Sequence, residues 1–212
     1  YANDWLVADR NTGEVASLEL GLKHVNLWRS KDGYFAGSNY PIDPGLAKDE
    51  TDFDTRDMSN SANARHVRWD QLLQQSKGRI DVALGKRFLA DHYDSYDKKI
   101  APSERTLCGH IDLSPRGSSP YWPAYYASGA VENKVASAAM ADQMTLAAAM
   151  GHACGISFKA AKHLQEHREF FWEHDVLRDL DAHPWATFKA TTFKATTLKA
   201  AASKTTALKI AK

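Results

Sequence analysis

The chain has 212 residues, 43% hydrophobic and 25% charged, an ordinary globular composition that supports a sizeable core and excludes collagen-like, mucin-like and disulfide-framework architectures. Its 27 basic and 26 acidic side chains nearly cancel, so the average charge predicts no strong attraction to nucleic acid or anionic lipid. That average hides a split: no acidic residue follows Asp181, and 27 basic residues less Lys189, Lys194, Lys199, Lys204, Lys209 and Lys212 leave 21 against 26 acidic, a mildly acidic body with a basic tail.

From the start of the chain, Trp5 to Asp9 and Glu14 to Leu20 alternate like half-buried strands, and Asn11-Thr12-Gly13 between them supplies the positive-φ residue of a tight hairpin. Val25, Leu27 and Tyr34-Phe35-Ala36 extend the hairpin into an antiparallel meander. Residues 40–61, rich in Pro, Gly, Asp and Asn, read as a long surface loop. Two helices follow, Ala64 to Gln75 and Ile80 to Tyr93, with Lys77-Gly78 as the stop between them. A second irregular region opens at Ala101-Pro102-Ser103, and Ser118 to Pro123 is a stiff aromatic loop.

Val131 to Ala141 and Met144 to Gly151 are two apolar segments that suit either helix or a buried hairpin; the stretch 136–156 is broken by Asp142, Gln143 and His152 and is no membrane span. Ser157 to Phe171 is a capped amphipathic helix. After Trp185 the text turns low-complexity, with Thr-Phe-Lys-Ala-Thr at 187–191 and again at 192–196. A five-residue period suits neither helix nor strand, so residues 186–212 read as a solvated tail outside a folded portion spanning 1–185, with contact to an acidic partner such as nucleic acid or a membrane surface as the functional alternative.

Few constellations carry chemistry on spacing alone. Two cysteines, Cys108 and Cys154, allow at most one disulfide. His163 and His167 share a helical face, but Glu166 is not where a metalloprotease needs it. Cys108-Gly-His110 and His152-Ala-Cys154 admit a two-plus-two zinc arrangement, yet structural zinc pairs usually leave two to four residues between ligands and these leave one, so no metal or cofactor is expected. There is no nucleophile elbow and no phosphate-cradling Gly-rich loop. Cys108 with His110 on one face of an extended segment admits a thiol and its base, against a plain reading of Cys108 as a small buried apolar residue.

Several segments together resemble a known group. Asn3-Asp4-Trp5-Leu6-Val7-Ala8-Asp9, followed by a Gly turn and a strand, is similar to the Asn-x-Trp strand of the phospholipase B-like proteins and to the corresponding strand of the penicillin acyltransferase family. Ser38-Asn39-Tyr40 resembles the Thr-Asn-His/Tyr two strands later. Cys108-Gly109-His110-Ile111-Asp112 resembles the families' Cys-Arg-His-x-Asp segment, with Gly109 in place of Arg, and Asp112-Leu113-Ser114-Pro115 resembles Asp-Leu-Asn-Pro of the phospholipase B-like branch. Gly129 to Cys154 is similar to the closing hairpin that ends in Gly-x-x-Cys.

The resemblance, covering residues 1 to about 185, implies an α+β fold: part of a four-layer αββα sandwich of the N-terminal nucleophile hydrolase type, with antiparallel sheets and flanking helices. It implies cleavage of amide or acyl ester bonds in a small substrate by a self-released N-terminal cysteine, with Asn3 as an oxyanion donor, His110 and Asp112 at the catalytic segment, and Trp5, Trp28 and Asn39 lining the substrate pocket. Neither Cys108 nor Cys154 matches the nucleophile, which in these families lies upstream of the Asn-x-Trp strand. The expectation is therefore that an upstream segment or a partner chain supplies it, and that this chain alone does not turn substrate over. The alternative is a non-catalytic binding or assembly module that keeps the scaffold and uses the basic tail for an acidic partner.

Overall fold

The computed structural model describes residues 3–49, 51–110, 133–148, 152–155 and 185–189; the aromatic loop at 118–123, Asp112, the helix expected from Ser157 to Phe171 and the His163/His167 pair lie outside them. Every strand pairing among the described residues is antiparallel, with helices between the strands, an α and β architecture without parallel crossovers.

The N-terminal hairpin forms as its alternation requires. Strand β1 (Asn3–Ala8) pairs with β2 (Val15–Leu20), and Gly13, at φ 70°, takes the left-handed position of the turn. Asp9 closes that turn by accepting hydrogen bonds from the Asn11 N–H and the Thr12 hydroxyl, which hold its carboxyl below its ordinary value. Strand β3 (Val25–Arg29) adds to β2, giving the order β1-β2-β3. Strand β4 (Tyr34–Gly37) does not continue the meander. It bends away at Gly33, φ 74°, and pairs with β7 (Lys134–Ser137), about a hundred residues on.

The two faces of the three-stranded sheet differ in an unusual sense. Alternation puts Trp5, Leu18 and Leu27 in one cross-strand row with Val7, Leu20 and Val25 beside it. This face is open: Trp5 is 59% exposed, Val7 52%, Val25 64% and Leu27 50%. The opposite, covered face carries Asp4, Ser17, Glu19 and Trp28. Glu19 is buried there, accepting from the Trp28 indole at 2.6 Å, the Ile42 N–H at 2.6 Å and the Asp43 N–H at 3.0 Å. Three donors satisfy a carboxylate that would otherwise be costly to bury, and they tie the 41–43 segment to the sheet.

Residues 40–61 are not entirely loop. Asp43 accepts from the Leu46 N–H at 2.6 Å and Pro44 follows it, so a short helix α1 (Pro44–Asp49) starts there and buries Leu46 and Ala47. The signal is a capping Asp before a first-turn Pro, which the loop-like composition masked. Helix α2 (Ser61–Gln75) begins three residues earlier than its apolar pattern implies, because Asn60 caps it through the Ala62 N–H. Helix α3 (Val82–Leu89), capped by Asp81, is shorter than the expected Ile80–Tyr93 span; Tyr93 belongs instead to a two-residue pairing of β5 (Tyr93–Asp94) with β6 (Lys99–Ile100).

After β7, a turn of helix α4 (Ala138–Asp142) separates it from β8 (Thr145–Ala148). Of the two alternatives for these segments, helix or hairpin, neither holds among the described residues: β7 and β8 do not pair with each other, and only a short helix lies between them. Instead β8 pairs with β9 (Ala186–Lys189), which brings the first part of the low-complexity tail into a strand through main-chain hydrogen bonds although its side chains stay exposed. The core lies where α2 and α3 meet β4 and β7: Trp69, Leu73, Ile80, Phe88 and Leu107 are buried together, with Trp69 edge-on to Phe88 at 6.2 Å.

Segment 91–110 has little regular structure, and one of its anchors is a buried carboxylate. Asp94 accepts from the Tyr96 and Asp97 N–H groups, the Ser103 hydroxyl and the Arg105 guanidinium. Burial pushes its carboxyl up, but the hydrogen bonds and the Arg105 charge outweigh that and leave it below the ordinary value of 3.8. A depressed folded pKa contributes stability that is present above the unfolded value and is lost as pH falls through the folded one. Asp94→Ala is expected to lower unfolding free energy by about 3 kcal/mol in urea titrations near neutral pH. The gap should narrow as acid protonates Asp94 in the wild type; a gap independent of pH would assign the loss to packing instead.

Candidate functional site

Three chain segments bring histidine and cysteine side chains to one buried point. The first is fixed by Asp91, whose carboxylate takes a two-pronged grip from Arg68, Nε to Oδ1 at 2.9 Å and Nη2 to Oδ2 at 2.7 Å, and also accepts from the Tyr93 N–H. His92 lies between these two anchors. The second is the 103–110 turn, in which the Cys108 N–H donates to the Asp91 carbonyl, the His110 N–H donates to the Ser103 carbonyl, and the Thr106 hydroxyl reaches the Cys108 carbonyl at 2.7 Å. The third is a tight turn at 152–155, closed by the Gly155 N–H on the His152 carbonyl, with Gly155 at φ 81°.

At the centre lies His110, fully buried. Its Nε2 is 3.0 Å from His92 Nε2, 3.5 Å from Cys108 Sγ and 3.6 Å from Cys154 Sγ. The four donor atoms of His92, Cys108, His110 and Cys154 all lie within 4.8 Å of one another. The His152 ring stacks on His110 at 3.8 Å between centroids and 20° between planes. Burial pulls His92 below the ordinary imidazole value, against a smaller upward pull from Asp91, and so favours its neutral, lone-pair-bearing form. Burial also pushes the Cys108 thiol up to about 12.

The sequence-named residues do not converge on one place. His110 stands in the cluster, and Asp112 lies outside the described residues. Asn3 opens β1 opposite Leu20. Trp5 and Trp28 sit on opposite faces of the sheet, Trp5 on the open apolar face and Trp28 on the covered one against Glu19. Asn39, at φ 59°, turns its side-chain oxygen to the Arg65 guanidinium at 3.4 Å. That guanidinium also meets Asn133 Oδ1 at 3.3 Å, and Asn133 Nδ2 donates to the Leu107 carbonyl at 2.9 Å, so a polar chain runs from Asn39 to the residue before Cys108.

A cleft of about 320 Å³ between the covered sheet face and α2 is lined by Asp4, Ser17, Glu19, Tyr34, Ser38 and His66 among others; Asp4 and Ser38 belong to the motifs, but neither is among the site residues that the resemblance implies. His92 is the residue that sequence spacing missed. It precedes the Cys-Gly-His pair by a turn and a two-strand excursion, and only the Asp91 anchor brings it back. His152, grouped with the ligand pairs by sequence, is the stacking ring rather than one of the four clustered donors.

Chemically, Cys108 is a poor nucleophile: the thiolate is the reactive form, and a buried thiol with a pKa near 12 supplies almost none at neutral pH. The arrangement suits a shared ligand better than attack on a carbonyl. No protein-family model, curated protein or solved structure matches the chain. In reduced, chelator-treated native protein, the partly exposed Cys154 is expected to alkylate well ahead of Cys108, with both equal after denaturation, as read by mass spectrometry of iodoacetamide-treated peptides. Faster labelling of Cys108 would mark it as activated.

Proposed function

We propose that the chain is part of a cysteine N-terminal nucleophile hydrolase acting on amide or acyl ester bonds, with the nucleophile supplied by an upstream segment or a partner chain. The observation that carries this reading is the open apolar face of β1-β2-β3. A sheet that buries Glu19 and Ser17 while leaving Trp5, Val7, Val25 and Leu27 half or more exposed calls for a second layer over it. In a four-layer αββα sandwich that layer is the companion sheet, and in the families the motifs resemble, that part of the molecule includes the nucleophile. The raised pKa of buried Cys108 agrees, because it removes the best candidate within the chain.

On this reading the nucleophilic thiolate adds to the substrate carbonyl, the tetrahedral oxyanion is held by fixed donors, and the leaving group departs as the acyl-enzyme forms; water then releases the acid. The Asn3 amide serves as one oxyanion donor, uncharged at every working pH. Trp5 stands on the open face that the second layer would cover, while His110 is buried and Asn39 is engaged by the Arg65 guanidinium, so neither is given a step at the carbonyl.

Expression of the complete reading frame tests the proposal. Intact mass and N-terminal sequencing are expected to find a cleaved bond with a new N-terminal cysteine ahead of Tyr1, and an acyl-directed electrophile should label that cysteine. Asn3→Ala should then lower kcat by about 10²–10³, and Cys108→Ala should leave the electrophile on the same residue. Turnover by the 212 residues alone, abolished by Cys108→Ala, overturns the reading. So does a full reading frame that is neither cleaved nor labelled, an outcome that leaves a non-catalytic module.

A further inference from the structure

We propose that His92, Cys108, His110 and Cys154 form a structural zinc site, bound through His92 Nε2, His110 Nε2 and the two sulfurs. The first argument is one of capacity. A single imidazole nitrogen offers one in-plane lone pair or one N–H, so it completes one good hydrogen bond. His110 Nε2 faces three heteroatoms, at 3.0, 3.5 and 3.6 Å, from three side chains that the backbone delivers separately. Hydrogen bonding accounts for one such approach, whereas a common centre accounts for all of them.

The second argument is metric. Tetrahedral zinc with Zn–N of about 2.0–2.1 Å and Zn–S of about 2.3 Å places nitrogen and sulfur ligands roughly 3.5 Å apart and two nitrogens roughly 3.3 Å apart. The two nitrogen–sulfur separations from His110 match the first edge, and the His92–His110 separation of 3.0 Å is a few tenths short of the second. A small outward rotation of one ring closes that difference.

The third argument is electrostatic. Zinc replaces the two thiol protons, which pass to solvent, and two neutral imidazoles complete the set, so the bound centre is uncharged and suits its buried position. Two thiolates with two imidazoles favour zinc over the hard cations, and four protein ligands leave no open position for substrate. The one-residue gap in Cys108-Gly-His110 is no obstacle here, because the 103–110 turn already brings Cys108 Sγ within 3.5 Å of His110 Nε2. Metal binding would pin the α3–β5 connection, the 103–110 turn and the 152–155 turn to one point. The inference is independent of the proposed hydrolase, since it concerns ligands and not turnover.

The test uses the chain purified under reducing conditions, stripped with chelator and titrated with Zn²⁺ or Co²⁺ alone. One Co²⁺ per chain is expected to give intense tetrahedral d–d bands with thiolate-to-cobalt charge transfer, both displaced by stoichiometric Zn²⁺. Cys154→Ser or His92→Gln should weaken Zn²⁺ affinity by more than the roughly 10–100-fold typical of an outer-shell partner, while His152→Gln should stay within that range. Because a ligand variant can fail to fold, the cobalt spectrum of the unaltered chain stands by itself. A spectrum without thiolate charge transfer, stoichiometry well below one, or a non-reduced chain lighter by two hydrogens with a Cys108–Cys154 disulfide overturns the proposal.

Discussion

The crowding of three soft and borderline donors around His110 Nε2, itself the fourth, is the constraint on which the irregular half of the molecule depends. Segment 91–110 contributes only Leu107 to the buried hydrophobic cluster and two short strands to the sheets, so ordinary burial does little to fix it. What fixes it is a set of charged and polar anchors: Arg68 on Asp91, Arg105 and Ser103 on Asp94, and Thr106 across the turn. Those anchors place His92 and the Cys-Gly-His pair against Cys154, which arrives from far along the chain. A shared centre turns this placement from a buried cost into a cross-link.

The sheet at the other end obeys a different constraint. Burying Glu19 under three N–H donors fixes which face of β1-β2-β3 turns inward, and strict alternation then leaves the tryptophan and aliphatic row outward. One polar interaction thus decides which surface is left open. The same sheet carries Asn3 and Trp5, and on the proposed function that open surface and the oxyanion donor share one strand.

Much of the regular structure was legible in the sequence because it is set locally. The Asn-Thr-Gly turn, the Lys77-Gly78 stop and the alternation of β1 and β2 are short-range signals and appear where the pattern puts them, whereas the Asn60 and Asp81 caps set helix starts that the apolar pattern misplaced. The partner of β4 was not legible, because strand alternation says which face a strand buries and nothing about which strand lies beside it. Helix α1 was hidden in composition that reads as loop, although Asp43-Pro44 held the cue. The clustered donors were half legible: Cys108, His110 and Cys154 stand out, but the fourth, His92, is brought in by a tertiary anchor at Asp91. The spacing rule that disfavoured zinc presumes ligands paired within one knuckle, whereas these come from three separate segments.

Zinc X-ray absorption on the reduced, zinc-loaded chain measures the central geometry directly. The account predicts a first shell of two sulfurs at about 2.3 Å and two imidazole nitrogens at about 2.0–2.1 Å, with the outer-ring scattering of two histidines. A shell of oxygen and nitrogen alone, or one with a single sulfur, would contradict it.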